Sequence, residues 1–413
     1  MAGKGVLGAI AGLFLSAQAL AQGAMEKLTD FNMVEAVNLE APSVSQGGRK
    51  ASAISEMLKR IQLPKGFKID LYAIVPDARH MAVGPNLGVL FVGTRKTKVW
   101  AVTDRDRDHI ADEVKEFAPG IKKKFPNGVA FDKQGFLYLA EHNRVLVFPA
   151  AESSYGGPDV AVGVVKDQFV PAGDEYFNHA FRVIDVGPDD KLYVAIGQPY
   201  NVWPRNRPFQ DPMGSIVRMN KDGSNYEVFA RGIRNSVGLD FNPKTGQLWF
   251  TDNQVDGMGD DIPPGELNRA PEIGMSFGFP WYGGGRTRTA EWADTEPPAG
   301  EVFPEIEFPA HAADLGMTFY TGNQFPASYM NDLFVAEHGS WNRTTPVGAQ
   351  ILRVKMDEDG NAVSYEVFAK GWLDEKTGEY HGRPVDVVQM LDGSLLVSDD
   401  RVGAVYRISY TGE

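Results

Sequence analysis

The chain contains no cysteine, which removes a disulfide scaffold, a thiolate metal site, a cysteine nucleophile and a covalently attached c-type haem. Positive charge is also in deficit. Across 413 residues 41 Lys and Arg face 54 Asp and Glu, a formal net charge of −13. The longest basic run is Lys122-Lys123-Lys124, too short to neutralise a phosphate backbone, so a nucleic-acid partner is excluded. Long apolar runs are lacking too. Val6 to Leu20 is apolar but contains Ser16 and Gln18 and falls short of the roughly 20 residues a membrane span needs. What remains, 43% hydrophobic and 23% charged residues, is the composition of a soluble globular chain with ample core.

The N-terminus has the parts of an export signal: Lys4, the apolar stretch from Val6, and Ala19-Leu20-Ala21 as a small-x-small cleavage site. Residues 1–21 are therefore expected to be a signal peptide, and the mature protein periplasmic or secreted, without stable membrane insertion. Residues 22–62 read as an extension. Within it Ile54, Met57, Leu58 and Ile61 recur at helical spacing, predicting a short helix over Ala51–Ile61 that ends before Pro64-Lys65-Gly66.

Residues 63–413 carry a repeated phrase, a polar turn followed by Leu and two further apolar residues. It occurs as Leu90-Phe91-Val92, Leu137-Tyr138-Leu139, Leu192-Tyr193-Val194, Leu248-Trp249-Phe250, Leu333-Phe334-Val335 and Leu395-Leu396-Val397. Most copies are followed by a second β-type run, such as Val145–Phe148 or Ile351–Val354. One hairpin per roughly 50 residues is the pattern of propeller blades, so the expectation is an all-β, six-bladed β-propeller. A β-sandwich is the alternative, but it rarely needs six similar units. The longest interval, from Leu248 to Leu333, predicts an insertion within Gln254–Gly300.

Loops that flank the inner strands of a propeller converge on one face. Those loops hold Arg95, Asn127, His179, Arg234 with Asn235, the run His338 to Arg343, and Arg383 with Asp386, one group per repeat. An alcohol oxidised by hydride transfer needs a base for its proton, and histidine suits that at neutral pH. A fixed arginine is a good partner for negative charge developing on a carbonyl oxygen. Each of these residues taken alone is equally at home as a loop brace or a surface ion pair.

Four motifs make them more specific: Asn178-His179-Ala180-Phe181-Arg182, Arg231-Gly232-Ile233-Arg234-Asn235-Ser236-Val237-Gly238, His338-Gly339-Ser340-Trp341-Asn342-Arg343, and Gly382-Arg383-Pro384-Val385-Asp386-Val387. In order and spacing they resemble the glucose/sorbosone dehydrogenase family, and most of all its sorbosone and pyranose dehydrogenase branch. The resemblance runs from Leu63 to the end. It implies a periplasmic propeller that binds pyrroloquinoline quinone (PQQ) and Ca²⁺, oxidises a sugar or sugar aldehyde, and passes electrons to an external cytochrome or quinone. It implies His179 as catalytic base and Arg234 as the arginine beside the quinone oxygen. Arg95, Asn127, Asn235, His338, Arg343 and Arg383 would then hold the cofactor, because three carboxylates require several cations and fixed donors. The cofactor calcium would lie near Asn253, Gln254 and Asp256. Where soluble glucose dehydrogenase has an aspartate behind the histidine this chain has Gln198, which can orient an imidazole but not neutralise an imidazolium. A calcium-dependent propeller lactonase is the rival enzyme, needing a histidine and a calcium but carboxylate-rich channel loops.

A second cation signal is independent of the resemblance. Asp104, Asp106, Asp108 and Asp112, with the Ile110 carbonyl, follow the alternating oxygen spacing of a calcium loop. His109 stands where such loops usually place glycine, and a solvated acidic turn is the competing reading.

Overall fold

The computed structural model describes residues 32–33, 36–37, 41–156, 159–171 and 173–412. The signal segment 1–21 lies outside them. Six antiparallel sheets stand around a central axis, and their innermost strands touch in a closed ring: Met81–Val83, Gly128–Phe131, Val183–Val186, Gly238–Phe241, Asp314–Phe319 and Pro384–Gln389. We number the blades one to six in that order.

Each repeated leucine opens the second strand of a different blade, as the repeat predicts: Leu90–Val92, Leu137–Ala140, Leu192–Ile196, Leu248–Asp252, Leu333–Glu337 and Leu395–Asp399. Every residue of these strands is buried. A second strand is covered on both faces by neighbouring blades, so its sequence is continuously apolar rather than alternating. Outer strands face water, and Ala362–Lys370 is exposed through its middle. Each of the six blade interfaces therefore holds an apolar core, and a smaller cluster around Trp203, Val255 and Phe279 lies among the loops. Each fully buried Phe or Leu in them contributes roughly 1.5–3 kcal/mol.

The strand Phe67–Ala73 pairs with Ala404–Tyr410 as the outer strand of blade six, so the start of the domain closes the ring on its end. The repeat pattern gave no sign of this strand. The helix spans Gly48–Leu58, three residues earlier at each end than its periodicity predicts. Beyond Leu58 the chain continues in tighter turns, with Arg60 N–H on the Met57 carbonyl and Ile61 N–H on that of Leu58, both at 3.0 Å. Ile54 and Leu58 are buried in the core between blades five and six. The range predicted as an insertion, Gln254–Gly300, contains the third strand of blade four, Gly265–Ala270; the extra length is split between the loop before that strand and the longer connection from it to the fourth strand, Ile306–Phe308. Among the described residues no helix is long and apolar enough to cross a membrane.

Candidate active site

His179 sits in the loop before the inner strand of blade three, in the left-handed region at φ 54°. Its Nδ1 lies 2.5 Å from the Gln198 carbonyl oxygen. A carbonyl can only accept, so Nδ1 carries the proton and Nε2 keeps its lone pair. Burial, and after it the charge of Arg234, hold the imidazole pKa down at about 3. The ring is thus neutral and able to accept a proton at ordinary pH. Gly197 makes this geometry possible: a Cβ there would lie 2.6 Å from the His179 Cβ and 2.7 Å from Asn235 Oδ1. The Gln198 side chain does not orient the imidazole. Its amide is spent on the Tyr200 backbone, bonding the carbonyl and accepting the N–H at 2.8 Å. The backbone carbonyl of the same residue does the orienting instead.

Arg234 is 5% exposed and most of its fork is engaged. Nε donates to the Asn201 carbonyl at 3.0 Å, Nη1 to the Asn253 carbonyl at 3.1 Å, and Nη2 to Asn201 Oδ1 at 2.8 Å and Asp256 Oδ2 at 3.0 Å. Of five N–H groups, one on Nη1 has no partner among the described residues. Asn235 follows it, with its backbone N–H on Asp252 at 2.6 Å.

Blades one and six supply a cationic rim organised by an acid that sequence reasoning missed. The Asp400 carboxylate accepts from Arg79 at 2.7 Å and from His338 Nε2 at 2.9 Å, and lies 3.3 Å from Arg95. These partners hold its pKa far below the usual carboxylate range despite burial. Asp77 is 3.3 Å from Arg95. Asn127 is buried, accepting from Arg79 Nε at 3.1 Å and donating to the Arg182 carbonyl at 2.9 Å. Arg383 bonds the carbonyls of His338 at 3.0 Å, Gly339, and Ser340 at 2.9 Å through Nε and Nη2. Burial keeps His338 below the ordinary histidine range. The guanidiniums of Arg79, Arg95 and Arg383 thus share this rim with the carboxylates of Asp77 and Asp400, and Asp399 takes the Arg383 backbone N–H. Arg343 is turned elsewhere, onto the carbonyls of Asp260 and Ala310 and the Asp261 carboxylate. It ties blade five to the blade-four insertion, while its neighbour Asn342 reaches Asp256 at 2.8 Å. Arg79 and Asp400 occupy the same kind of loop as the residues recognised in the sequence, which is the signal that could have found them.

Blades four and five supply the opposite charge. Asp252 and Glu266 are cross-strand partners bordering a small cavity of about 10 Å³, room for a single water or ion, with Arg234, Asn253 and Gln254. Burial raises their pKa values to about 6 and about 8. Gln254 is buried, its amide nitrogen 3.1 Å from His311 Nδ1 and its Oε1 without a partner among the described residues. Two carboxylates and an orphaned amide oxygen are hard donors of the kind that suit calcium. All but the Gln254 oxygen already have a hydrogen-bond donor: the Asn253 carbonyl and both Asp256 oxygens on Arg234 or Asn342, both Asp252 oxygens on the N–H groups of Arg234 and Asn235, and both Glu266 oxygens on Asn268 and the Gly285 N–H. Beneath them Asp314 and Glu337, also cross-strand partners, are 0% exposed, and neither Asp314 oxygen has a donor among the described residues.

The Asp104 loop is separate, joining the third and fourth strands of blade one. Oxygens of Asp104, Asp106 and Asp108 lie within 4.8 Å of one another, and His109 takes the left-handed conformation, φ 72°, that a glycine would favour there. Asp112 accepts the Arg105 N–H at 2.5 Å, and Ile110 donates its N–H to Asp108 at 2.8 Å.

A family model described as glucose/sorbosone dehydrogenase matches residues 168–407, which include His179, Arg234, His338 and Arg383. The chain belongs to the glucose/sorbosone dehydrogenase family. It is 32% identical over 363 residues to an uncharacterized protein of Borreliella burgdorferi, covering 87% of this chain and 93% of that one. It is 26% identical to the aldose sugar dehydrogenase YliI of Escherichia coli over 42% of this chain and 48% of that protein. It is also 31% identical to a PQQ-dependent pyranose dehydrogenase of Coprinopsis cinerea over 29% of this chain and 18% of that protein. Among solved structures, a Trichoderma reesei enzyme of carbohydrate-active family AA12 superposes with a TM-score of 0.72 at 20% identity, covering 85% of this chain and 97% of the other. The PQQ domain of the Coprinopsis cinerea pyranose dehydrogenase gives 0.69 at 18% identity, covering 84% and 97%. At such identities the two structures speak for the propeller fold alone. This member of the sugar dehydrogenase family carries a neutral histidine on blade three, a cationic rim on blades one and six and an acidic pocket on blade four.

Proposed function

We propose that this protein oxidises a sugar or sugar aldehyde using bound PQQ, with His179 taking the hydroxyl proton and an external cytochrome or quinone receiving the electrons. The observation that carries the reading is His179: a tautomer fixed by a backbone carbonyl leaves Nε2 as a proton acceptor. When bound, PQQ would supply a two-electron acceptor for the hydride. Arg79, Arg95 and Arg383, with Asn127, Asn235 and His338, would hold it. Arg95 and Arg383 are bonded through Nε and Nη2, and their Nη1 has no protein partner among the described residues; such unpaired guanidinium donors suit a polycarboxylate. Arg234 adds to the burial that keeps His179 neutral and offers its remaining N–H. Gln254, Asp252 and Glu266 would hold the calcium, with Asn253 and Asp256 as its surroundings. Asp104, Asp106, Asp108, the Ile110 carbonyl and Asp112 are assigned to a second, structural calcium. We further propose that the working protein lies outside the cytoplasm, on the strength of the Lys4–Ala21 segment.

The test is to add PQQ and Ca²⁺ to the purified protein and follow reduction of an artificial dye with a panel of aldoses and sugar aldehydes. Dye reduction that His179→Gln abolishes while PQQ stays bound supports the proposal. Lactone hydrolysis with no dye reduction would replace it with the hydrolase.

A further inference from the structure

On the face that carries the site, surface charge is sorted by side. Exposed cations outside any ion pair among the described residues recur around blades six, one and two: Arg49 and Lys50 at the start of the helix, then Arg401, Lys96 and Lys122. They form one surface. The Lys50 ammonium lies against the Arg401–Gly403 loop, with Nζ 3.2 Å from where a Cβ on Gly403 would stand, and burial without a carboxylate beside it lowers its pKa. Asp400, next to Arg401, is 3.3 Å from Arg95. The Lys96 carbonyl accepts the Phe125 N–H at 2.9 Å, which joins that lysine to the Lys122-Lys123-Lys124 run.

The acids within this stretch are already spent. Asp77 faces Arg95, Glu116 faces Lys98, Glu141 faces Arg144 and Glu175 faces Lys124. Asp167, exposed at the outer margin of blade two, is the exception. The extra loops of blade four carry the opposite sign: the Asp261 side chain is 90% exposed, and Glu291 and Glu296 are exposed without a cation among the described residues. The basic side also has an apolar centre. Phe177, 65% exposed and two residues from His179, packs edge-on against Phe125 and Phe181 with centroids 5.6 and 5.7 Å away. An exposed aromatic ringed by charge of one sign is the anatomy of a small, transient protein interface. Arg95, assigned to PQQ, is 39% exposed within it.

We propose that this surface docks the electron acceptor, and that the acceptor is a small acidic protein carrying a one-electron redox centre. Oxidising one alcohol group releases two electrons and two protons; the electrons reduce two acceptor molecules in turn, and the protons pass to solvent. Each acceptor must therefore arrive fast and leave fast. Long-range attraction with few close contacts gives that behaviour. A free quinone is uncharged and gains nothing from the lysines. An anionic membrane would meet the acidic loops of blade four on the same face, whereas a small protein can sit to one side of them. The docking of electrons rests on the dehydrogenase reading; the binding of an acidic protein does not.

Binding and electron transfer are therefore measured separately, with plastocyanin, an acidic copper protein that takes one electron, as the probe. Its affinity by calorimetry should fall about tenfold or more between about 10 mM and about 200 mM salt, and Lys96→Glu/Lys122→Glu should weaken it about tenfold at the lower salt. Lys133→Glu/Lys244→Glu makes the same charge change on exposed turns at the opposite ends of the blades and should leave affinity nearly intact. With PQQ, Ca²⁺ and sugar, Lys96→Glu/Lys122→Glu should slow plastocyanin reduction about tenfold while reduction of an uncharged dye is unchanged. Binding that ignores salt, or that falls equally in both double variants, overturns the surface even if the dye is reduced. Binding lost only in Lys96→Glu/Lys122→Glu, with no sugar oxidised, keeps the surface and overturns the dehydrogenase reading. Binding to phosphatidylglycerol vesicles but not to plastocyanin overturns the protein partner in favour of a membrane.

Discussion

Blades four and six solve the same local problem with the same parts and then diverge at one residue. In blade six Asp399 ends the second strand and accepts the Arg383 N–H at 2.9 Å; in blade four Asp252 ends the equivalent strand and accepts the Arg234 N–H at 2.8 Å. The next residue is Asp400 in blade six and Asn253 in blade four. Asp400 gathers Arg79, Arg95 and His338 into a cationic rim. Asn253 carries no charge, so Arg234 is paired with Asp256 at 3.0 Å and the nearby carboxylates are left without cations. A carboxylate ringed by cations is held ionised, whereas one buried without them is pushed toward its neutral form. The propeller thus places opposite charge on two sides of one channel by changing a loop residue on an unchanged scaffold, with His179 of blade three near the boundary.

The largest effect is expected at that boundary. His179→Gln should lower turnover by about 10²–10⁴ with PQQ affinity nearly unchanged, measured by dye reduction and PQQ titration. With the imidazole pKa at about 3, protonation would stop the base from accepting only in strong acid. The His179-linked limb of kcat/KM should therefore lie well below pH 5, and a limb near pH 6.5 that disappears in His179→Gln would contradict the neutral, buried base.

Asp400→Asn would give blade six the charge of blade four. It strands Arg79, buried with no other carboxylate within ion-pair distance, so urea unfolding should show a loss of roughly 3–5 kcal/mol. An unchanged midpoint would mean that the rim is not organised by Asp400. A smaller effect is expected of Arg383→Ala, whose PQQ affinity should weaken by about 1.5–3 kcal/mol. If Arg343→Ala, whose guanidinium bonds Asp260, Asp261, Ala310 and Thr345 and none of the rim residues, weakened PQQ binding as much, the distinction between rim and brace would fail.

The mildest test concerns the acidic side. Glu266 has a folded pKa of about 8 against an unfolded value near ~4.3, so between these pH values the folded state binds the extra proton. Stability should then decline as pH rises through that window. Calcium competes with the proton and gains most where the carboxylates must ionise. Ca²⁺ should accordingly raise Tm by a few degrees at pH 8 and less at pH 5, and Glu266→Gln should erase the difference. An equal rise at both pH values in the parent would move the calcium away from Asp252 and Glu266.

The blades were legible because each second strand is buried on both faces, which forces the phrase that begins at Leu90, Leu137 and their counterparts. Phe67–Ala73 was not, since an outer strand need satisfy only one neighbour and its partner lies more than 300 residues away. The site was legible as motifs on loops before inner strands. The direction each side chain takes was not: Arg343 stands beside Asn342 in one motif, yet only Asn342 turns toward the Arg234 network.

By itself the sequence determined the six-fold repeat and the family, and singled out the motif that carries His179, because local burial patterns and contiguous motifs survive in one dimension. Tertiary structure alone decided that Gln198 serves His179 through its backbone, that Asp400 binds together two arginines of blade one and the His338 imidazole of blade five, and that Asp252 and Glu266 share a cavity. Those outcomes depend on charges distant along the chain meeting in space, where a neighbour a few ångströms away decides whether a carboxylate stays ionised.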